Sequence, residues 1–335
     1  MSNSYQQFSG GTSPVYLYKG FNLLTGVGIT DLMEDYKLTG AFSLSTDLIN
    51  NEYAVSFSNL KKRLDKEIIF HRFTNLNYPD GWGYVTEKQR THEFIYKLTW
   101  PFTEFMHVSG FGIVKNNQTY TTNILDISSV GDKIKKSNWV GVRGEFVFDN
   151  TIGLAQNILI GTRFKLFGEY SQVITKENRN LIVLGFDFRN YQRIYRELIF
   201  AWRVAGSSPL GSDRLVYYMG GVDNWILPHF NSDNQVSPDI NYAYQTLATN
   251  MRGFAQNTRN GPNFAVVNAE LRFPFVRVFA NRPIGSKFLN SLQMVGFCDF
   301  GTAWNGLTPY SEENSLFIKK YDEPPMHIEV SEHRD

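Results

Sequence analysis

A single cysteine, Cys298, excludes any disulfide within the chain and leaves its redox compartment open. No apolar run approaches the roughly 18 residues a membrane-spanning helix needs. Charge is scarce, at 19% of residues, and nearly balanced at a net +1, so no field of one sign advertises nucleic acid or an anionic surface as partner. The opening Met-Ser-Asn-Ser-Tyr-Gln-Gln-Phe-Ser-Gly-Gly has neither a basic n-region nor an apolar h-region, so it is no secretory signal. Either the chain lacks its natural N-terminus or it is not exported. Catalytic signatures are missing too: no nucleophile elbow, phosphate loop or dinucleotide fingerprint is present, and no Ser-His constellation turns the acids into a hydrolase. The histidines do not have metal-ligand spacing, and His71, His92 and His107 fall in different strands or at their ends. Neither enzymatic activity nor a metal or cofactor is expected.

What the chain has in abundance is aromatic side chains, 27 Phe, 18 Tyr and 6 Trp, in a period of two that barely stops after Asn22. Leu38, Gly40, Phe42 and Leu44 oppose Lys37, Thr39, Ser43 and Ser45. Phe94, Tyr96, Leu98, Trp100 and Phe102 oppose Glu93, Lys97 and Thr99. Val140, Val142, Phe146 and Phe148 oppose Arg143, Glu145 and Asp149, and Leu184, Phe186 and Phe188 oppose Asp187 and Arg189. Charges set mid-strand on one face, strand after strand, require that face to be wet or paired, which suits a barrel lumen, while the aromatic faces suit lipid and its interfaces. Cys298 alternates onto the apolar face as a small lipid-facing hydrophobe.

Connectors alternate between short ones (103–104, 149–156, 190–195) and long ones (75–90, 115–137, 210–263), the rhythm of an outer-membrane barrel with short turns at one rim and long loops at the other. A large soluble sandwich produces the same alternation, its apolar faces meeting in a core. The expected fold is all-β, an antiparallel transmembrane β-barrel of about twelve strands. It comprises an irregular segment 1–21, strands over 22–209, a long external loop 210–263 without strand period, strands over 264–304 and an external segment 305–335. With the long loop outside, both chain ends fall outside, whereas complete barrels of this kind bring their termini together on the other side.

The loop carries Met251-Arg252-Gly253-Phe254. Two strands follow, one holding Glu270 and the other Asp299, and strand parity aims both acids at the face of their polar neighbours. The loop is expected to fold back into the lumen, where Glu270 and Asp299 hold Arg252. A guanidinium offers a planar fork of donors that two carboxylates saturate. The competing arrangement pairs Glu270 with same-face Arg272 and leaves Arg252 solvated.

Across residues 219–304, Gly220-Gly221, MRGF, Asn-Ala-Glu-Leu-Arg-Phe-Pro-Phe and Phe-Cys-Asp-Phe-Gly-Thr-Ala-Trp occur in the order that resembles the BamA/TamA/FhaC-like surface-antigen superfamily of outer-membrane barrels. Met in place of the usual Val before Arg-Gly-Phe is a departure. The resemblance implies sixteen strands, of which the first and the last three are absent from this chain. It implies that Arg252 is the lumen-anchored loop arginine, Gly253 the residue permitting the tight tip, Phe254 its apolar plug, and Glu270 and Asp299 the wall acids. It further implies a bacterial outer-membrane location, insertion or translocation of polypeptide, and as partners the lipid bilayer, unfolded or exported polypeptide and upstream periplasmic modules, with no nucleic acid. The other readings are a passive porin-like channel, a surface-anchoring barrel and a soluble β protein.

Overall fold

The computed structural model describes residues 5–8, 22–45, 51–77, 85–123, 134–155, 158–174, 178–195, 197–222, 229–231, 234–237, 239–249, 251–280, 285–310, 314, 317–323 and 326–332. In chain order the strands are β1 (Gln6–Gln7), β2 (Asn22–Thr30), β3 (Tyr36–Ser45), β4 (Asn51–Asn59), β5 (Asp65–Asn77), β6 (Val85–Pro101), β7 (Met106–Asn123), β8 (Lys135–Asp149), β9 (Ile152–Ala155), β10 (Ile158–Val173), β11 (Asn180–Tyr195), β12 (Leu198–Leu210), β13 (Arg214–Met219), β14 (Tyr242–Leu247), β15 (Arg259–Gly261), β16 (Asn263–Phe273), β17 (Met294–Trp304), β18 (Phe317–Glu323) and β19 (Met326–Glu332). Helices α1 (Phe275–Phe279) and α2 (Lys287–Ser291) lie between β16 and β17.

One antiparallel sheet forms the wall, in the order β17-β16-β12-β11-β10-β8-β7-β6-β5-β4-β3-β2, with the short β9 paired to β10. Its outward face carries large apolar side chains left exposed on strand after strand, among them Phe70, Phe94, Val142, Leu166 and Leu184. A soluble sandwich would bury that face against a second sheet. A contiguous apolar belt of this extent is far beyond what monomeric soluble proteins leave uncovered, and it matches the lipid face of a membrane barrel. The inward face carries the charges. Among the described residues no pairing joins β2 to β17, so these two strands are the edges of the wall.

Strands β5 to β8 run well past the reading from periodicity, β6 over 17 residues and β7 over 18. Towards the rim bearing the long connections both their faces are polar, as in Gln89, Arg90, Thr91 and His92, so hydropathy ceases to alternate while the backbone ladder continues. The connection expected over 190–195 is instead part of β11. The segment 210–263 also differs from the expectation, since it contains β13, β14 and β15. β13 reads Arg-Leu-Val-Tyr-Tyr-Met and is buried on both faces from Leu215 to Met219, which removes the period that marks a half-buried strand. β1, within the segment expected to be irregular, joins the same small sheet, and segment 305–335 contains the β18–β19 hairpin.

Candidate functional site

The small sheet, in the order β1-β14-β13-β15, sits inside the wall. Its inner-facing cluster joins Tyr5, Tyr217, Met219 and Tyr244 to wall residues Trp139, Leu181, Val183 and Val266. Trp139 and Tyr244 have ring centroids 5.3 Å apart, and Tyr217 and Phe264 are 4.6 Å apart. Polar contacts fix the register: Asn117 Nδ2 donates to Tyr244 Oη at 2.9 Å, Tyr217 Oη donates to Ser207 Oγ at 2.7 Å, and Arg203, itself paired with Asp187, donates to Thr249. Burial raises the Tyr244 phenol to a pKa of about 12, against the pull of the Lys115 ammonium.

The end of the loop turns back through a bridge between Gly221 and Met251. Gly253 has φ +86°, in the left-handed region where only glycine sits without strain, and so lets the chain reverse immediately after Arg252. Arg252 then meets both wall acids. Its Nε donates to Asp299 Oδ2 at 2.9 Å, one terminal nitrogen to Asp299 Oδ1 at 2.8 Å and the other to Glu270 Oε1 at 2.6 Å. The Arg252 backbone N–H also donates to Asp299 Oδ2 at 2.9 Å. The guanidinium lies 4.0 Å from the centroid of the Phe297 ring. The hydrogen bond to Asp299 holds the guanidinium pKa above its ordinary value despite partial burial.

Neither acid serves Arg252 alone. Asp299 accepts a further bond from Asn268 Nδ2 at 2.8 Å, so its two oxygens take four donors, about the capacity of a carboxylate. Glu270 Oε2 pairs with Arg272 at 2.6 Å, so Glu270 serves both arginines, one on each oxygen, and Arg252 is not left solvated. Phe254 is 43% exposed, and the apolar side chain packed at the tip is Met251 at 6%. Three participants escaped the sequence reading: Met251, Asn268 and Phe297. Parity places Asn268 beside Glu270 and Phe297 beside Asp299 on the inward face, a signal that was available.

Elsewhere, His71 lies in the lumen between Glu52 (2.8 Å) and Glu93 (3.5 Å), with Lys115 3.0 Å from Glu93. His92 stands on the outward face of β6, and His107 near the start of β7. Cys298 is exposed on the outward face of β17, opposite Ala269 in register. A cavity of about 1180 Å³ remains beside the small sheet, lined by the inward faces of β2 to β8 and β10, including Glu52, Glu93, Lys115, Arg143 and Glu169.

No protein-family model matches the sequence, and no curated protein matches it. Among solved structures, the crystal structure of BamA from Haemophilus ducreyi lacking POTRA domains 1–3 matches with a TM-score of 0.53 at 12% identity, over 85% of this chain and 57% of that one. CdiB from Acinetobacter baumannii matches with a TM-score of 0.47 at 13% identity, over 84% of this chain and 46% of that one. The chain thus spans about half the length of the structures it resembles. At these identities the likeness is one of fold, and the fold is that of a BamA-like outer-membrane β-barrel.

Proposed function

We propose that this chain is the membrane-embedded barrel of a bacterial outer-membrane protein that inserts or translocates polypeptide, with Arg252, Gly253, Glu270 and Asp299 forming a latch that keeps the long loop in the lumen and Met251, in place of the exposed Phe254, as its packed apolar side chain. One observation carries the reading: the connection between β12 and β16 is lodged within the wall, and the arginine at its tip is held by acids on the two strands that follow. An ionic latch suits a loop that has to be both placed and released. A buried ion pair fixes geometry strongly while adding little net stability relative to an apolar contact. The work proposed is mechanical, without covalent chemistry. The partners are the lipid bilayer, a polypeptide in an unfolded or exported state, and periplasmic modules upstream that select it; nucleic acid has no part.

The test reconstitutes the protein into phosphatidylcholine vesicles and follows the folding of a urea-unfolded outer-membrane protein by gel mobility. Faster folding than in protein-free vesicles, altered by Arg252→Ala, is expected. Folding no faster than in empty vesicles, together with a steady ion conductance across a planar bilayer, overturns this reading. It would establish the second one, a passive channel, which the charge-lined cavity of about 1180 Å³ favours.

A further inference from the structure

The inward and outward cations of the wall differ in one respect. The inward cations at the middle of the wall are neutralised by the chain itself: Lys97 pairs with Glu67, Lys115 with Glu93, Arg143 with Glu145 and Glu169, and Arg203 with Asp187. Outward cations on β5, β6 and β8 are not. Among the described residues, Arg72, Lys88, Arg90 and Lys136 have no carboxylate within salt-bridge distance, and the outward face around them holds no acidic residue.

Register fixes where these cations stand. Val55, Phe70, Phe94, Val114 and Val140 lie side by side in one row across β4 to β8, the last apolar row before the rim. The next row towards the rim is Tyr53, Arg72, His92, Asn116 and Asn138, and the one after it brings Thr74, Arg90, Gln118 and Lys136 together. Each row is two residues, roughly 7 Å, further along the strands. Measured along its own strand at a tilt of about 40°, Arg72 stands about 5 Å above Phe70, and Arg90 and Lys136 stand about 10 Å above Phe94 and Val140, about the thickness of a headgroup layer and its outer margin.

The two arginines are also held in place. Arg72 donates to Tyr53 Oη at 2.9 Å with its guanidinium 5.0 Å from that ring's centroid, and Arg90 lies 5.6 Å from the Tyr120 centroid. Stacking against an aromatic ring leaves the edge of the guanidinium fork free for phosphate oxygens. At the same rim the outward positions of β10 and β12 carry Gln172 and Ser208, so among the described residues of these wall strands the cluster of unpaired outward cations lies on β5 to β8.

We infer that the outward face of β5 to β8 at this rim is a binding site for the phosphate groups of an anionic membrane lipid, with Arg72, Arg90 and Lys136 as its cationic contacts and Lys88 at its outer edge. The inference rests on the membrane-barrel reading, because the lipid has to present its headgroup just above the apolar row. It goes beyond that reading in assigning a lipid class and a sector.

The test uses the full chain. The protein is floated with phosphatidylcholine vesicles and with phosphatidylglycerol vesicles, and lipids retained after extraction from an equimolar mixture are counted by native mass spectrometry. Wild-type protein is expected to float with both and to retain phosphatidylglycerol over phosphatidylcholine. Each surface cation is worth about a fivefold change in binding, so Lys136→Gln should weaken phosphatidylglycerol retention about fivefold and Arg72→Gln/Arg90→Gln/Lys136→Gln on the order of 100-fold, with phosphatidylcholine unchanged. Lys136 is exposed, so its single variant reports even where the triple variant fails to fold. Flotation with neither vesicle overturns the membrane reading and this inference together. Flotation with both, but equal retention of the two lipids or no loss in Lys136→Gln, overturns the lipid site alone. Complete displacement of the lipid by millimolar inorganic phosphate also overturns it, since the site would then take a free ion.

Discussion

Replacing Arg252 with Ala removes two side-chain hydrogen bonds to Asp299 and one to Glu270. The consequences for the two acids differ. Asp299, whose side chain is 1% exposed, keeps Asn268 and the loop backbone N–H, while Glu270 keeps Arg272. Stripping a buried charge of its partner costs about 3–5 kcal/mol. Two features discount that figure: the Arg252 side chain is 23% exposed, and each acid retains donors. We expect about 2–3 kcal/mol, consistent with charge-assisted hydrogen bonds of roughly 1.5–3 kcal/mol each when partly compensated. The loss should appear as local opening of the loop rather than as unfolding of the wall. An energy of that size multiplies the open population by roughly 30- to 150-fold.

Hydrogen exchange at the amides of β13 and at residue 252 reads that population directly, and proteolysis of the loop under native conditions reads it a second way. Asp299→Ala should open the loop further than Arg252→Ala, because it also orphans the Arg252 backbone N–H and Asn268. Glu270→Gln should have the smallest effect of the three. The double variant Arg252→Ala/Asp299→Ala should fall short of the summed single effects by more than about 0.5 kcal/mol, the limit within which independent sites add. Additivity within that limit, or exchange in Arg252→Ala indistinguishable from wild type, would refute the latch.

Gly253→Ala should cost about 1–2 kcal/mol of loop order, from the left-handed backbone alone, since nothing lies within 4 Å of its new Cβ. Gly220→Ala should stop the loop from docking, because there φ is +107° and the Cβ would collide with the Ala255 carbonyl; equal exchange in the two variants would contradict this. A bimane attached to Cys298 should be quenched by lipid-borne nitroxide in vesicles and spared by iodide, and the reverse pattern would place β17's outward face in water. Because burial raises Tyr244 from 10 to about 12, its contribution to docking is fully present below pH 10 and is lost as pH rises through about 12, so the protection factor of the loop amides, with the intrinsic hydroxide-catalysed rate divided out, should fall across that window. A protection factor unchanged from pH 9 to 12 would argue against a docked Tyr244.

The lipid-facing rows were legible because lipid on one side and a wet lumen on the other impose opposite demands on alternate residues. Legibility stopped where one demand vanished. Above the apolar rows, Thr86 and Lys88 face outward and Glu87 and Gln89 inward, all polar, so the extra turns of β6 and β7 left no hydropathic trace. In β13 the opposite holds, with Val216 and Tyr218 buried on one face and Leu215 and Tyr217 on the other, so an apolar run in a polar loop was passed over. That Arg252 meets Glu270 and Asp299 could be read since an arginine at a loop tip and two inward acids leave few ways to pair. That Glu270 serves two arginines is a matter of where its second oxygen points, which parity does not specify.

The apolar run of residues 181–186 belongs to the same physics. Ile182, Leu184 and Phe186 point outward, and Leu184 and Phe186 stay exposed there, whereas Leu181 and Val183 point inward and are buried against the small sheet. Both faces of β11 are therefore apolar at one height. Further down the same strand the inward positions become Asp187 and Arg189, and Asp187 pairs with Arg203, which donates to Thr249 of the loop. The inward face of the wall thus meets the loop in two ways: apolar side chains where the small sheet packs against it, and ionic ones where single loop residues, Thr249 and Arg252, reach the wall. On β6 and β7 the corresponding inward positions near the rim are Thr91, Asn117 and Thr119, which meet the loop sheet through hydrogen bonds to Tyr244 and Gln7. A loop merely resting in a preformed pore would leave no such division between strands. The composition of the wall fits a lumen built around a resident loop, apolar contact on the β8 to β17 side holding it down and polar contact on the β6 and β7 side setting its register.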